Sequence, residues 1–94
     1  MTLTGTDKIN DFGMDYPDAK SALARWIALV RGNRFRTILE LRKTFGPVDP
    51  VSAYTVFNIR GNKYRLIAVI DYEEQLCVVH EVMTHKTYDK WSPL

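Results

Sequence analysis

One cysteine, two histidines and five glycines are too few for several kinds of protein. Cys77 has no partner, so no intrachain disulfide can form, and with only His80 and His85 beside it no Cys/His spacing for a structural zinc exists. Set between Leu76 and Val78, its thiol reads as buried and inert, as suits a reducing compartment. The glycines build neither a P-loop nor a dinucleotide fingerprint, and neither Ser52 nor Ser92 has the base arrangement of a Ser/His/Asp hydrolase. No cofactor and no metal is expected. Met1 to Asp11 contains no apolar stretch like a signal peptide, and no run approaches the roughly 20 apolar residues of a membrane span. A cytoplasmic location without a membrane partner follows as the expectation.

What is present is an ordinary globular composition, 94 residues with 46% hydrophobic and 26% charged side chains, read as one domain over 1–94. The net charge of +2 hides a strong asymmetry. Residues 31–65 carry Arg31, Arg34, Arg36, Arg42, Lys43, Arg60, Lys63 and Arg65 against Glu40 and Asp49, a net of +6, while the flanking segments are slightly acidic. Such a block either attracts a polyanion or forms a solvated helix face.

The periodicity changes once along the chain. Met1 to Thr4 suggests an edge strand, and Thr6 can cap a short helix presenting Ile9 and Phe12, weakened at its end by Gly13. A second helix starts near Pro17 and runs toward Arg31, with Ala22, Leu23, Trp26, Ile27 and Val30 on one stripe and Gly32 as its stop. Trp26 reads as a core anchor. Ile38, Leu39, Leu41 and Phe45 sketch a third helical segment, and residues 46–50, Gly-Pro-Val-Asp-Pro, read as a loop. From Val51 the pattern is that of strands: Val51 to Ile59, a tight connection at Arg60-Gly61-Asn62, Lys63 to Tyr72, a turn at Glu73-Glu74-Gln75, and Leu76 to Met83. The predicted class is α+β, with N-terminal helices packed on one face of a small, mainly antiparallel sheet.

Arg65 is the anomaly, a cation inside an apolar strand, where burial demands a partner or an anionic ligand. Alternation places it with Lys63, Ile67 and Val69 on the face away from the helices, pointing into an open hollow unless Glu81 or Asp71 pairs with it. His80, inside the last strand, reads more simply as a hydrogen-bonded sheet residue than as a ligand. Beyond that strand, His85, Lys86 and Tyr88 gather an imidazole, an ammonium and a phenol within four positions. Cleavage of RNA by its own 2′-hydroxyl needs a group to take a proton, cations for the crowded phosphorane and a donor for the departing oxygen. A polar, solvent-facing strand end is the plainer alternative.

Two strings, Val56-Phe57-Asn58-Ile59-Arg60-Gly61-Asn62-Lys63-Tyr64-Arg65-Leu66-Ile67 and Val82-Met83-Thr84-His85-Lys86-Thr87-Tyr88-Asp89-Lys90, resemble the HigB toxins of bacterial type II toxin–antitoxin systems, a branch of the RelE-like superfamily. The resemblance implies a compact sheet with two helices on one face and a ribosome-dependent mRNA endonuclease that blocks translation. Its implied partners are the ribosome and mRNA, and a HigA-like helix-turn-helix antitoxin that alone contacts operator DNA. Carried onto these positions, it implies Arg65 for transition-state charge and His85, Lys86 and Tyr88 as acid/base candidates. Arg60 and Lys63, with Arg34, Arg36, Arg42 and Lys43 from the basic block, would hold RNA backbone. Two other readings stay open: a catalytically silent module of the same fold that binds its antitoxin, and a general single-strand RNA binder using Tyr54, Phe57 and Tyr64 as stacking platforms.

Overall fold

The computed structural model describes residues 1–93 and has the element order β1 (Thr2–Thr4), α1 (Thr6–Asp15), a 3-10 turn (Pro17–Ala19), α2 (Lys20–Arg31), α3 (Ile38–Phe45), β2 (Val48–Val51), β3 (Tyr54–Ile59), β4 (Tyr64–Asp71), β5 (Leu76–Thr84) and α4 (His85–Tyr88). The strands form one sheet in the order β1-β5-β4-β3-β2, antiparallel except for the β1–β5 pair. The α+β expectation holds. No helix among the described residues is long and apolar enough to cross a membrane.

β4 lies at the centre, which explains its long apolar run: Leu66, Ile67 and Ala68 are all fully buried. Alternation along it sends Tyr64, Leu66 and Ala68 into the larger core, where Leu23, Trp26 and Val30 of α2 and Leu41 of α3 meet Phe57 and Val79. Ile67 faces the other way, into a small second core with Val56 and Met83. Trp26 is the anchor its spacing suggested, edge-on to Phe57 at 5.3 Å, and its indole N–H is buried without a hydrogen-bond partner among the described residues. Cys77 is buried as expected, and desolvation pushes its thiol up to about 12, far from a thiolate.

Two local expectations need correction, the cap at Thr6 and the loop at 46–50, and further details of α1 and α3 emerge. Thr6 is not a cap, because Gly5 takes that place in a left-handed conformation (φ 83°). Only glycine fits there, since a Cβ would stand 2.7 Å from the Val79 carbonyl oxygen. α1 continues through Gly13 to Asp15, and α3 turns Leu39 outward to solvent while burying Leu41. α3 has a cap that the apolar pattern did not reveal: Thr37 Oγ1 accepts from the Glu40 N–H, and Glu40 accepts from the Arg36 N–H. The stretch read as a loop after Gly46 holds β2, which pairs with β3 in the register Val48↔Phe57 to Val51↔Tyr54. Pro50 is tolerated because β2 is an edge strand, where a missing N–H costs no ladder bond on its outer side.

Candidate active site

β5 ends at Thr84, whose Oγ1 accepts from the Thr87 N–H at 3.1 Å and so closes the single turn of α4. The His85 N–H donates to the Lys63 carbonyl at 3.0 Å, docking α4 beside the start of β4. Tyr88 and Trp91 then pack on the second core, their rings stacked at 5.8 Å. The segment thus lies over the sheet face that carries Arg65.

The Arg65 side chain is covered there, only 7% exposed, rather than projecting into an open hollow. Among the described residues no carboxylate pairs with it, so neither Glu81 nor Asp71 fills the role foreseen for an internal partner. Its Nη1 donates to the carbonyls of Asn62 (3.0 Å) and Tyr64 (3.1 Å), and its Nη2 to Asn62 Oδ1 (2.6 Å) and His85 Nδ1 (2.8 Å). The Tyr88 ring lies 5.6 Å from the guanidinium carbon. Four of five N–H groups are therefore spent on neutral acceptors, and the charge is hydrogen-bonded but not neutralised.

One consequence falls on His85. Arginine can only donate, so Nδ1 must be the acceptor and the ring proton sits on Nε2, facing outward. Asp89 Oδ1 is 3.6 Å from that nitrogen, and the His85 side chain is 43% exposed. A half-exposed imidazole of fixed tautomer, with a cation behind it and a phenol alongside, presents a hydrogen-bond donor to an anionic group entering from solvent. Lys86, on the same turn, is exposed. The structure thus gathers Arg65, His85, Lys86 and Tyr88. It adds Asn62 and Asp89, which the sequence reading did not single out; the only signal was Asn62 in a tight turn three residues before Arg65.

Arg60 and Lys63 do not share the face of Arg65. Both turn to the helix side, where Asp18 Oδ2 accepts from Lys63 Nζ (2.5 Å) and Arg60 Nη1 (3.0 Å), and Asp18 Oδ1 accepts from the Tyr64 hydroxyl (2.5 Å). Lys63 precedes the first paired residue of β4, so strand alternation does not govern it. Arg42, Lys43, Arg34 and Arg36 belong to α3 and its lead-in, which pack on the helix face; Arg42 Nε donates to the Val48 carbonyl. Phe57 and Tyr64 are buried in the larger core, so neither serves as a stacking platform.

The Asp18 hub carries a pH signature. Hydrogen bonds from Lys63 and then Tyr64 hold its carboxyl below 3.8, while the bond to Asp18 raises Lys63 above 10.5 and Tyr64 above 10.0. A lowered carboxyl stabilises the fold above its unfolded value and loses that effect as pH falls through the folded one; a raised lysine or tyrosine stabilises below its unfolded value and loses it as pH rises through the folded one. The Tm gap between the unchanged chain and Asp18→Asn should therefore be widest across the neutral range and narrow below pH 3.8 and above 10.5. A gap that is flat with pH would contradict this origin.

Comparison with known proteins agrees with this geometry. The sequence profile of the HigB toxin family, described as the RelE-like toxic component of a toxin–antitoxin system, matches residues 19–91. The mRNA interferase toxin HigB of Escherichia coli (strain K12) is 32% identical over 92 residues, covering 95% of this chain and 88% of that protein. The mRNA interferases HigB of Escherichia coli O157:H7 and Shigella flexneri match with the same identity and coverage. Profile and relatives both span the β3–β4 hairpin and the turn that holds His85 over Arg65, and on that basis this chain belongs to the HigB toxin family.

Proposed function

We propose that this chain is the toxin of a type II toxin–antitoxin pair and acts as an mRNA interferase, a ribosome-dependent endoribonuclease that stops translation. The observation that carries the reading is the 2.8 Å contact from Arg65 Nη2 to His85 Nδ1. In this chemistry the 2′-oxygen attacks the adjacent phosphorus and the P–O5′ bond breaks, leaving a 2′,3′-cyclic phosphate and a 5′-hydroxyl. The proton lost by the 2′-hydroxyl must be accepted and one delivered to the 5′ oxygen. His85 Nε2–H is placed to hydrogen-bond a phosphoryl oxygen; with Nδ1 held by Arg65 the neutral ring does not give that proton up, so proton transfer from the 2′-oxygen to the 5′ oxygen falls to the acid/base candidates Lys86 and Tyr88. Arg65 keeps that tautomer and adds positive potential from below, with Lys86 and Tyr88 completing the charge and donor set.

The wider basic surface serves a different end. Arg34, Arg36, Arg42 and Lys43, with Arg60 and Lys63 beside Asp18, give sequence-independent, salt-sensitive attraction to ribosomal and messenger RNA. The restraining partner is a HigA-like helix-turn-helix antitoxin, and operator DNA is reached only through it.

His85→Ala tests the reading. Because the ring is half exposed, the variant should melt close to the unchanged protein, yet its cleavage of mRNA on translating ribosomes should fall about 10²- to 10³-fold. Equal cleavage by both proteins would remove His85 from the chemistry. If the unchanged chain itself produces no new mRNA ends after induction, the silent-module alternative holds, and cleavage of naked RNA at the same rate would favour the general binder.

A further inference from the structure

Beyond Arg65 the same sheet face continues as a row of rings that the proposed chemistry does not use. Trp91 stacks on Tyr88 and meets Tyr54 edge-on at 5.4 Å, and Tyr54 lies 4.9 Å from the ring of His80. His80 lies on this face with Val78, two residues earlier, by ordinary alternation, and the sheet is irregular at His80 itself. The β4–β5 register runs Ala68↔Val79 and then Ile67↔Glu81, so His80 has no partner and is bulged out of the ladder. Instead of the hydrogen-bonded sheet residue expected from sequence, His80 is exposed with its ring against Tyr54.

The surface beside it is also unusual. Val78, two residues before His80, pairs across the sheet with Val69, and the two are 38% and 39% exposed. The larger core and its helices lie on the opposite face, which leaves Val69 and Val78 partly open among the described residues. Flat rings and small apolar side chains, with a polar imidazole edge, match the faces of nucleobases better than the charged backbone.

The geometry points to the His80–Tyr54 strip as a nucleobase subsite that holds a base of single-stranded RNA beside the scissile phosphate. This deepens the ribonuclease reading and rests on it. The occupant is RNA rather than protein because the row is continuous, ring to ring, with the Arg65–Tyr88 contact. An RNA strand lying with a phosphate at His85 would cross it.

The test compares the unchanged protein with His80→Ala, His80→Tyr and Arg65→Ala on translating ribosomes, with thermal melts to verify folding. His80→Ala should raise KM about tenfold, with kcat within about threefold and a changed distribution of cut sites, while His80→Tyr, which restores a ring, should return KM close to the starting value. Arg65→Ala should instead lower kcat. An unchanged KM in His80→Ala overturns the subsite, including the case in which that variant only loosens the grip of the antitoxin. Should the unchanged protein cut no mRNA, the ribonuclease reading fails separately. The subsite is then judged by NMR titration with a single-stranded oligodeoxynucleotide: shifts of the His80 and Tyr54 ring protons support it, and their absence overturns it.

Discussion

Arg65→Ala should reduce mRNA cleavage by about 10³-fold or more and also lower the melting temperature, a double loss that no surface residue of the site should produce. The two losses share one cause. Removing the guanidinium strips the donors from the Asn62 and Tyr64 carbonyls and from Asn62 Oδ1; the Tyr64 bond is buried, while Asn62 is an exposed residue that water reaches. Leaving a buried acceptor such as the Tyr64 carbonyl unpaired costs about 1–3 kcal/mol. The same change frees the His85 ring, so the proton is no longer confined to Nε2 and the local positive potential disappears. Arg65→Lys separates the components: it keeps a charge, yet a single ammonium cannot span Asn62 and His85 as a planar fork does. Cleavage by Arg65→Lys should lie between the alanine variant and the unchanged protein. Single-turnover rates on stalled ribosomes, beside thermal melts, give both numbers, and an alanine variant cutting within about threefold of the unchanged protein would deny Arg65 any part in the reaction.

Phe57→Ala should be the most damaging single change to the fold, costing about 3–5 kcal/mol, which for a chain of this size corresponds to a fall in Tm of about 15 °C or more. Phe57 is only 1% exposed and stands where β3 meets two helices, edge-on to Trp26 at 5.3 Å and to Phe45 at 5.1 Å. Truncation leaves a cavity between α2, α3 and the sheet that none of these rigid rings can collapse to fill. Phe57→Leu, which refills much of the volume, should recover more than half of the loss. A Phe57→Ala protein melting within about 3 °C of the unchanged one would mean that the aromatic cluster is not the keystone of the larger core.

The strands Val51 to Ile59 and Lys63 to Tyr72 and the stripe on α2 were legible because their signals are local. An apolar residue every three or four positions or every second one can bury itself in only one way. The errors have equally local causes. Two prolines hid β2, because the rule that excludes proline from strands is relaxed at an edge, and edge status is a property of the whole sheet. Alternation placed Lys63 beside Arg65, but Lys63 belongs to the turn before the ladder begins. His80, between Val79 and Glu81, reads as a hydrogen-bonded sheet residue because a bulge leaves no mark in the local sequence.

The site divides along the same line. Residue order alone determined the class of fold, the central place of β4, the burial of Cys77, an arginine inside an apolar strand and a His-Lys-Tyr cluster after the last strand, since each follows from periodicity or composition within a short window. Only the tertiary structure decided which groups touch: Asn62 and His85 around the guanidinium, Asp18 holding Arg60, Lys63 and Tyr64, and the rings from Tyr88 to His80 along one face. Apart from Asn62 with Arg65 and Tyr88 with Trp91, these contacts join positions far apart in the chain, from 20 residues for Arg65–His85 to 46 for Asp18–Tyr64. Their partners are selected by strand register, by a one-residue bulge and by the single helical turn that closes over the sheet, and none of these is written in a local pattern.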